Sequence, residues 1–299
     1  MCVGFWSLTH PEYALVLCAN RDEFLARPTS VAHWHAFNTE SITPSPQDAN
    51  PVHPDMPTDL PQDSVLSGRD LLGGGTWLGA NKHGRVGLLT NITEPLRQWP
   101  SSRGALLASF LLGEGPVTAA ESSLEQQESA YAGFNMVLFA PVDAESLPLN
   151  YEARLVTNHT GGGKIQVRQL ETAECAASGV SNGVDGRGGN TYPKICEGVS
   201  ALEKALDDAD SDEDKLISYL LELLTSQVQP PPTNAQERAA SISIAPIPGA
   251  PQYGTRVSTV VLVRRDGRAR FVERDRWTLQ QDGTALDGGA TREFRYTVQ

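Results

Sequence analysis

Two periods of hydrophobicity divide this chain. Near its start, Val3-Gly4-Phe5-Trp6 and Tyr13-Ala14-Leu15-Val16-Leu17-Cys18-Ala19 are apolar runs on either side of His10-Pro11-Glu12. Runs of that length around a proline-containing turn predict a β-hairpin. The second run ends on four polar residues, Asn20-Arg21-Asp22-Glu23. Strand alternation puts Asn20 and Asp22 on one face and Arg21 and Glu23 on the other. The hairpin also brings this end of the second strand beside the start of the first.

Further along, residues 76–79 and 85–91 predict two strands around the turn Asn81-Lys82-His83-Gly84. Ser101 or Ser102 caps a predicted helix over 103–112, and a second helix covers about 117–131. Strands follow near 135–139, 153–157 and 164–168, then helices near 194–206 and 213–226. In the last of these, Leu216, Ile217, Leu220, Leu221, Leu223 and Leu224 make a wide apolar face suited to packing on a sheet. Residues 256–264 and 268–273 flank Asp266-Gly267, a hairpin signal. The order of strands, helices, strands, helices, strands predicts an α+β layered protein with antiparallel sheets. Two proline-rich stretches, about 38–66 and 228–252, cannot be central strands or helices and read as exposed insertions. Gly73-Gly74-Gly75 and Gly161-Gly162-Gly163-Lys164 read as turns, because neither leads into the Gly-Lys-Ser/Thr of a phosphate loop.

Composition narrows the function classes. The 299 residues carry a formal net charge of -12 and no basic run, which argues against a nucleic-acid partner. The four cysteines (Cys2, Cys18, Cys175 and Cys196) form no CxxC pair, so neither a zinc site nor a disulfide framework is expected, and a reducing compartment suits them. No signal peptide is apparent, and no apolar run reaches the roughly 18 residues of a membrane span. The default expectation is a cytoplasmic protein.

Cys2 carries the candidate chemistry. Removal of Met1 would leave its thiol and a free α-amine on one residue, the arrangement of an amino-terminal nucleophile, with the amine as base. The alternative is a small buried residue opening a strand. His33, His35, His83 and His159 are the histidines that could serve a haem, although no Cys-x-x-Cys-His attachment motif exists.

Several segments together resemble the NRDE family, also called the transport and Golgi organization protein 2 family. They are Cys2 with Ala19-Asn20-Arg21-Asp22-Glu23-Phe24 and Arg27-Pro28; Gly74-Gly75-Thr76-Trp77-Leu78-Gly79; Leu89-Thr90-Asn91; Ser102-Arg103-Gly104; Gly133-Phe134-Asn135; Gly179-Val180-Ser181-Asn182 with Pro193-Lys194; Tyr253-Gly254-Thr255-Arg256 with Ser258-Thr259-Val260; and Glu273-Arg274. The resemblance runs through the whole chain as one domain, interrupted by the two insertions. It implies a four-layer αββα sandwich of two antiparallel sheets, like that of amino-terminal-nucleophile hydrolases. It also implies roles in Golgi organization and protein secretion, and in haem or acyl-lipid trafficking, with Golgi or mitochondrial association. No cofactor is required; haem enters as cargo.

The second role left open is a cysteine hydrolase of an amide or thioester, acting on an acyl amide or acyl-CoA. Cysteine amidases of the same fold supply the template. On it Cys2 attacks the carbonyl, Asp22 holds the α-amine, and Arg21 lowers the thiol pKa or fixes a substrate oxygen. Asn91 or Asn182 donates to the oxyanion, and Arg256 binds a carboxylate or phosphate. The amidases separate their arginine and aspartate, whereas Arg21 and Asp22 are adjacent. A buried ion-pair network is the alternative for Arg21, Asp22 and Arg256.

Overall fold

The computed structural model describes residues 2–37, 64–95, 97–127, 130–230, 232, 234, 237, 240–246 and 252–299. The predicted insertion at 38–66 therefore lies outside the described residues up to 63. Its last two positions do not belong to it: Val65 and Leu66 are apolar, fully buried, and open a strand. The insertion at 228–252 also lies partly outside. Its described segment 241–244 is buried rather than exposed: Ile242 and Ile244 enter the interior, and the Ile244 amide donates to Thr255 Oγ1 at 2.8 Å.

Two antiparallel sheets are stacked. The six-stranded sheet has the order β10 (Ser178–Val180), β1 (Val3–Ser7), β2 (Tyr13–Phe24), β11 (Tyr253–Arg264), β12 (Arg268–Asp275) and β15 (Thr291–Thr297). The seven-stranded sheet runs β3 (Thr29–His35), β4 (Val65–Asp70), β5 (Leu78–Asn81), β6 (Val86–Asn91), β7 (Phe134–Pro141), β8 (Tyr151–Thr157) and β9 (Gln166–Gln169). A small ribbon pairs β13 (Trp277–Leu279) with β14 (Ala285–Asp287).

Alternation along each strand assigns the layers. Leu15, Leu17 and Ala19 of β2, with Trp6, Val261 and Phe271, pack between the sheets on Leu66, Leu78, Leu88, Val137 and Phe139. The intervening Val16 and Cys18, with Val3, Phe5, Val260 and Leu262, face outward onto α4 (Pro193–Asp208) and α5 (Glu213–Leu223) through Ile195, Leu202, Leu216 and Leu220. On the far side, Leu89, Met136, Leu138 and Val156 pack on α1 (Arg103–Leu111) and α2 (Thr118–Glu125). The result is helices, sheet, sheet, helices, the αββα arrangement. Because both sheets are covered on both faces, β1, β2 and β7 are almost wholly buried, which explains why they read as near-continuous apolar runs.

Some predicted elements differ. The helix expected over 117–131 ends at Glu125, because Leu124 is its only buried side chain and the polar residues beyond it offer no apolar face. Short α3 (Thr172–Ala176), with no buried residue, and the edge strands β10 and β15 give no period long enough to read.

One buried charge ties the sheets. Glu273 of β12 is 1% exposed and shares the inter-sheet face with Phe271. Its Oε1 accepts the Ala32 amide of β3, from the opposite sheet, at 2.8 Å. Burial pushes its carboxyl up to about 7, against the pull of the Ala32 amide and Arg292. Such a group favours its neutral form in the fold, so stability falls as pH rises from about 4.5 to 7 and the cost persists above that. Glu273→Gln keeps the accepting oxygen without the charge. Urea denaturation should show the variant gaining on the wild type across this window by up to about 3 kcal/mol, and parallel stability curves would refute the assignment.

Candidate functional site

The site forms where β1 begins beside the end of β2. Register pairs Val3 with Asn20 and Gly4 with Ala19, so Cys2 precedes the ladder next to Arg21 and Asp22. The approach of the two sheets here is close: a Cβ at Gly4 would stand 2.2 Å from Leu88 Cδ2. Cys2 is half-buried, and its Sγ donates to the Asp22 carbonyl at 3.7 Å. Enclosure raises the thiol pKa above its ordinary value, the Asp22 charge adds to the rise, and Arg21 opposes it.

The four polar residues ending β2 part to opposite sides, as alternation requires. Asn20 points to the helical layer, where its Nδ2 donates to the Leu224 and Ile242 carbonyls at 2.8 and 3.0 Å and its Oδ1 accepts from Ser258 Oγ at 2.7 Å. Asp22 lies on the same side and accepts from Thr255 Oγ1 at 2.6 Å. Arg21 lies between the sheets, its guanidinium 4.2 Å from the centre of the Trp77 ring. Although only 5% exposed, it makes no hydrogen bond among the described residues; its ion pairs with Glu23 and Asp70 are long, at 3.8 and 3.7 Å. The five donors of a guanidinium are rarely left so open when buried. Asp70 is instead bound to Arg27 at 2.7 Å and to the amides of Leu72 and Gly73.

Arg256 sits at a bulge in β11, between Thr255 opposite Asp22 and Val257 opposite Arg21. Its guanidinium donates to the Arg27 and Phe24 carbonyls, and burial together with the Arg21 charge lowers its pKa to about 10. It is thus placed in the charged cluster around Arg21, against the turn that follows β2.

Asn182 and Asn91 meet through a loop. Ser181 Oγ donates to the Cys2 carbonyl at 2.7 Å, and Asn182 Nδ2 donates to the Asn91 carbonyl at 2.5 Å. Thr90 and Asn135 hold this loop from the seven-stranded sheet, both donating to the Ser181 carbonyl, at 2.7 and 3.1 Å. One N–H of the Asn182 amide is therefore committed to closing the sheets together. The half-buried Asn91 keeps a side-chain amide with no hydrogen bond among the described residues.

Two further charged groups join the site. Lys194, in the first turn of α4, is fully buried and feels the charges of Asp22 and Cys2. Arg103, at the start of α1, donates to the Gly133 carbonyl at 2.8 Å and feels Glu94 and Cys2. Neither was assigned a role from sequence. The signal available was their place inside Pro193-Lys194 and Ser102-Arg103-Gly104, two of the segments that carry the resemblance.

The sequence model for the family described as Transport and Golgi organisation 2 matches residues 1–52 and 49–278. The chain belongs to this family. It is 28% identical to the Transport and Golgi organization protein 2 homolog of Bos taurus over 99% of each chain, and 26% identical to the Homo sapiens homolog over the full length of both. Among solved structures, a mutant and a variant of the conjugated bile acid hydrolase from Clostridium perfringens share the fold, at TM-scores of 0.51 and 0.50 and 10% identity. Each covers 99% of this chain, with 97% and 98% of the hydrolase covered in turn. The amino-terminal-nucleophile-hydrolase-like architecture is thus that of this Transport and Golgi organisation 2 family member.

Three of the four candidate histidines have polar partners elsewhere. His33 Nδ1 lies 2.8 Å from the Val31 carbonyl, His35 Nε2 lies 3.0 Å from Ser67 Oγ, and His159 Nε2 lies 3.1 Å from Gln166 Oε1. Among the described residues no three His, Cys, Asp or Glu side chains group as metal ligands. No helix there is long and apolar enough to cross a membrane.

The roles of neighbouring polar residues separate experimentally. Asn20→Ala strands two buried carbonyls and the Ser258 hydroxyl, so it should lower the unfolding free energy by roughly 2–4 kcal/mol. A loss below about 0.5 kcal/mol in urea denaturation would contradict its assignment as a structural clamp.

Proposed function

We propose that this protein is a cysteine hydrolase of amide or thioester bonds, with Cys2 as nucleophile once Met1 is removed, working in the transport and Golgi setting that its family name gives. One observation carries the reading. Cys2 stands at the start of β1 beside a buried arginine that makes no hydrogen bond among the described residues, and the Ser181–Asn182 loop ties the Cys2 carbonyl to the strand end that carries Asn91. An idle donor beside a cysteine is what a developing oxyanion requires.

In this mechanism the freed α-amine takes the thiol proton, and Asp22, oriented by Thr255, holds the resulting ammonium. The sulfur bonds to the acyl carbon, and charge gathers on the carbonyl oxygen. Arg21 or Asn91 donates to that oxygen, while Asn182 keeps the Asn91 strand end in place. The ammonium then protonates the leaving nitrogen or sulfur as its bond to carbon breaks. Water, deprotonated by the same amine, releases the acyl group from Cys2. The fold likeness to a hydrolase solved as a cysteine-to-alanine mutant supports the template. Substrates of matching chemistry are acyl amides and acyl-CoA thioesters.

The test pairs intact-mass measurement with turnover. Mature protein should lack Met1, wild type should hydrolyse members of an acyl-amide and acyl-CoA panel, and Cys2→Ala should lose about 100-fold or more of that rate. Retention of Met1, or equal rates for the two proteins, would overturn the hydrolase. A saturable Soret shift on adding haem, or stable retention of acyl-CoA without turnover, would put a carrier in its place.

A further inference from the structure

We propose that Arg168 is a positioning residue of the Cys2 site: by binding Glu174 and Asp185 at once, it clamps residues 171–189 to the edge of the seven-stranded sheet and so holds the Ser181–Asn182 loop against Cys2. The need for a clamp follows from the topology. β9 ends one sheet and β10 ends the other, and among the described residues these two edges do not pair with each other. No ladder closes the side of the sandwich between them. β10 is three residues long and pairs only with β1, with Gly4 opposite Val180. Continued by two residues, that register puts Asn182 level with Cys2, and Ser181 Oγ reaches the Cys2 carbonyl at 2.7 Å. α3, which precedes β10, buries no side chain. Its ties run to β1 and the residue after it: the Trp6 indole donates to the Glu174 carbonyl at 2.9 Å, and the Leu8 amide to the Cys175 carbonyl at 2.8 Å. After Gly183 the loop folds on itself, since the Arg187 and Gly189 amides both return to the Val184 carbonyl.

Arg168 bridges that open side from β9. Its Nε and Nη2 donate to the two Asp185 oxygens at 2.8 and 2.9 Å, and its Nη1 and Nη2 donate to the two Glu174 oxygens, both at 2.8 Å. Nη1 also donates to the Gln169 carbonyl at 3.2 Å, so all five N–H groups are used. Paired charge-assisted bonds of this kind fix direction as well as distance. Glu174 is itself aimed by the Glu171 amide, which it accepts at 2.7 Å. Behind the clamp lies a crevice instead of packed side chains: Trp6, Leu155, Leu170 and Gly179 line it, and it reaches Asn135 and Ser181. Packing therefore does little to hold the segment at this edge. Thr90 and Asn135 hold the loop at Ser181 and Gly183, and Arg168 holds it two residues further on. Without the guanidinium, two carboxylates would face each other and drive α3 and the loop apart. Asn182 would then shift, and with it the cover over the half-buried Cys2. The consequence for turnover rests on the hydrolase reading; the clamp does not.

The four cysteines report the clamp without turnover. Cys175 lies on α3, Cys2 is bonded to the loop, Cys18 is buried against α4 and α5, and Cys196 is exposed on α4. The full chain is alkylated with iodoacetamide at one pH, and peptide mass spectrometry follows each thiol. Arg168→Met should speed alkylation of Cys2 and Cys175 about fivefold or more, with Cys18 still protected and Cys196 unchanged. Arg168→Lys, one ammonium for two carboxylates, should fall between that variant and wild type. A folded Arg168→Met with the wild-type rate at Cys2 would overturn the proposal. Should Arg168→Met fail to fold, Asp185→Asn serves instead, because it leaves Arg168 bound to Glu174. Cys2 should then gain more than Cys175, and an unmoved Cys2 rate would equally overturn the clamp. On the hydrolase reading, Arg168→Met should also lower kcat by a larger factor than it raises KM. Faster alkylation in a protein that hydrolyses nothing would sustain the clamp and remove the enzyme; hydrolysis with unmoved alkylation would do the reverse.

Discussion

A strand covered on both faces has no solvent side on which to leave a charge. β2 is such a strand through its first ten residues, and it carries Asn20, Arg21 and Asp22 inside that stretch. Everything distinctive about the site follows from that constraint. Each polar side chain must find its partner in whichever layer alternation delivers it to. Asn20 finds backbone carbonyls behind α5, Asp22 finds Thr255, and Arg21 finds an aromatic face and distant carboxylates. Of the three, Arg21 alone makes no hydrogen bond among the described residues, and it is the one that lies between the sheets.

In the proposed mechanism, this parting lets an adjacent arginine and aspartate approach one cysteine from two layers. Cys2 sits at the strand end, just before the Val3–Asn20 pair. Its sulfur bonds the Asp22 carbonyl, which lies in the plane of the sheet, so neither neighbour has to cross the strand. Asp22 lies in the helical layer and Arg21 in the inter-sheet layer. Adjacency in sequence thus becomes a clamp across the sheet. The ion-pair alternative accounts for part of the pattern, since Arg21 does approach Glu23 and Asp70, but those contacts are too long to satisfy a guanidinium.

The layered fold was legible because its signals are local. The β1–β2 and β11–β12 hairpins, the apolar face of α5 and the alternation of polar residues at 20–23 are all set by residues within a few positions of each other. Elements held by distant partners were not. β15 alternates charged residues because it is an edge strand, and β10 is three residues long and exists only by pairing with β1. The buried stretch 241–244 is polar in half its positions, and it is Asn20, more than 200 residues away, that holds it. The site was legible to the extent that its residues fall in the segments shared with the family. What those segments could not tell is which amide is spoken for. Asn91 and Asn182 look equivalent in sequence, yet a single bond makes one a brace and leaves the other open.

That distinction carries the energetic argument for the site. A pocket that must stabilise a transient negative oxygen needs donors that are already oriented and have no other acceptor, since a donor freed at the moment of reaction would first lose its resting bond. Arg21 meets this condition, while Asn182 already commits an N–H to the Asn91 carbonyl. Arg21 is held in orientation by stacking on Trp77, which fixes the guanidinium plane without occupying any of its N–H groups. Gly68 lies against that indole so closely that a Cβ there would come within 2.5 Å of the ring, which keeps Trp77, and hence the arginine, from moving aside. The aromatic wall, the missing side chain behind it and the unbonded arginine in front of it thus form one device: a positive charge held in place with its donors unspent beside a cysteine.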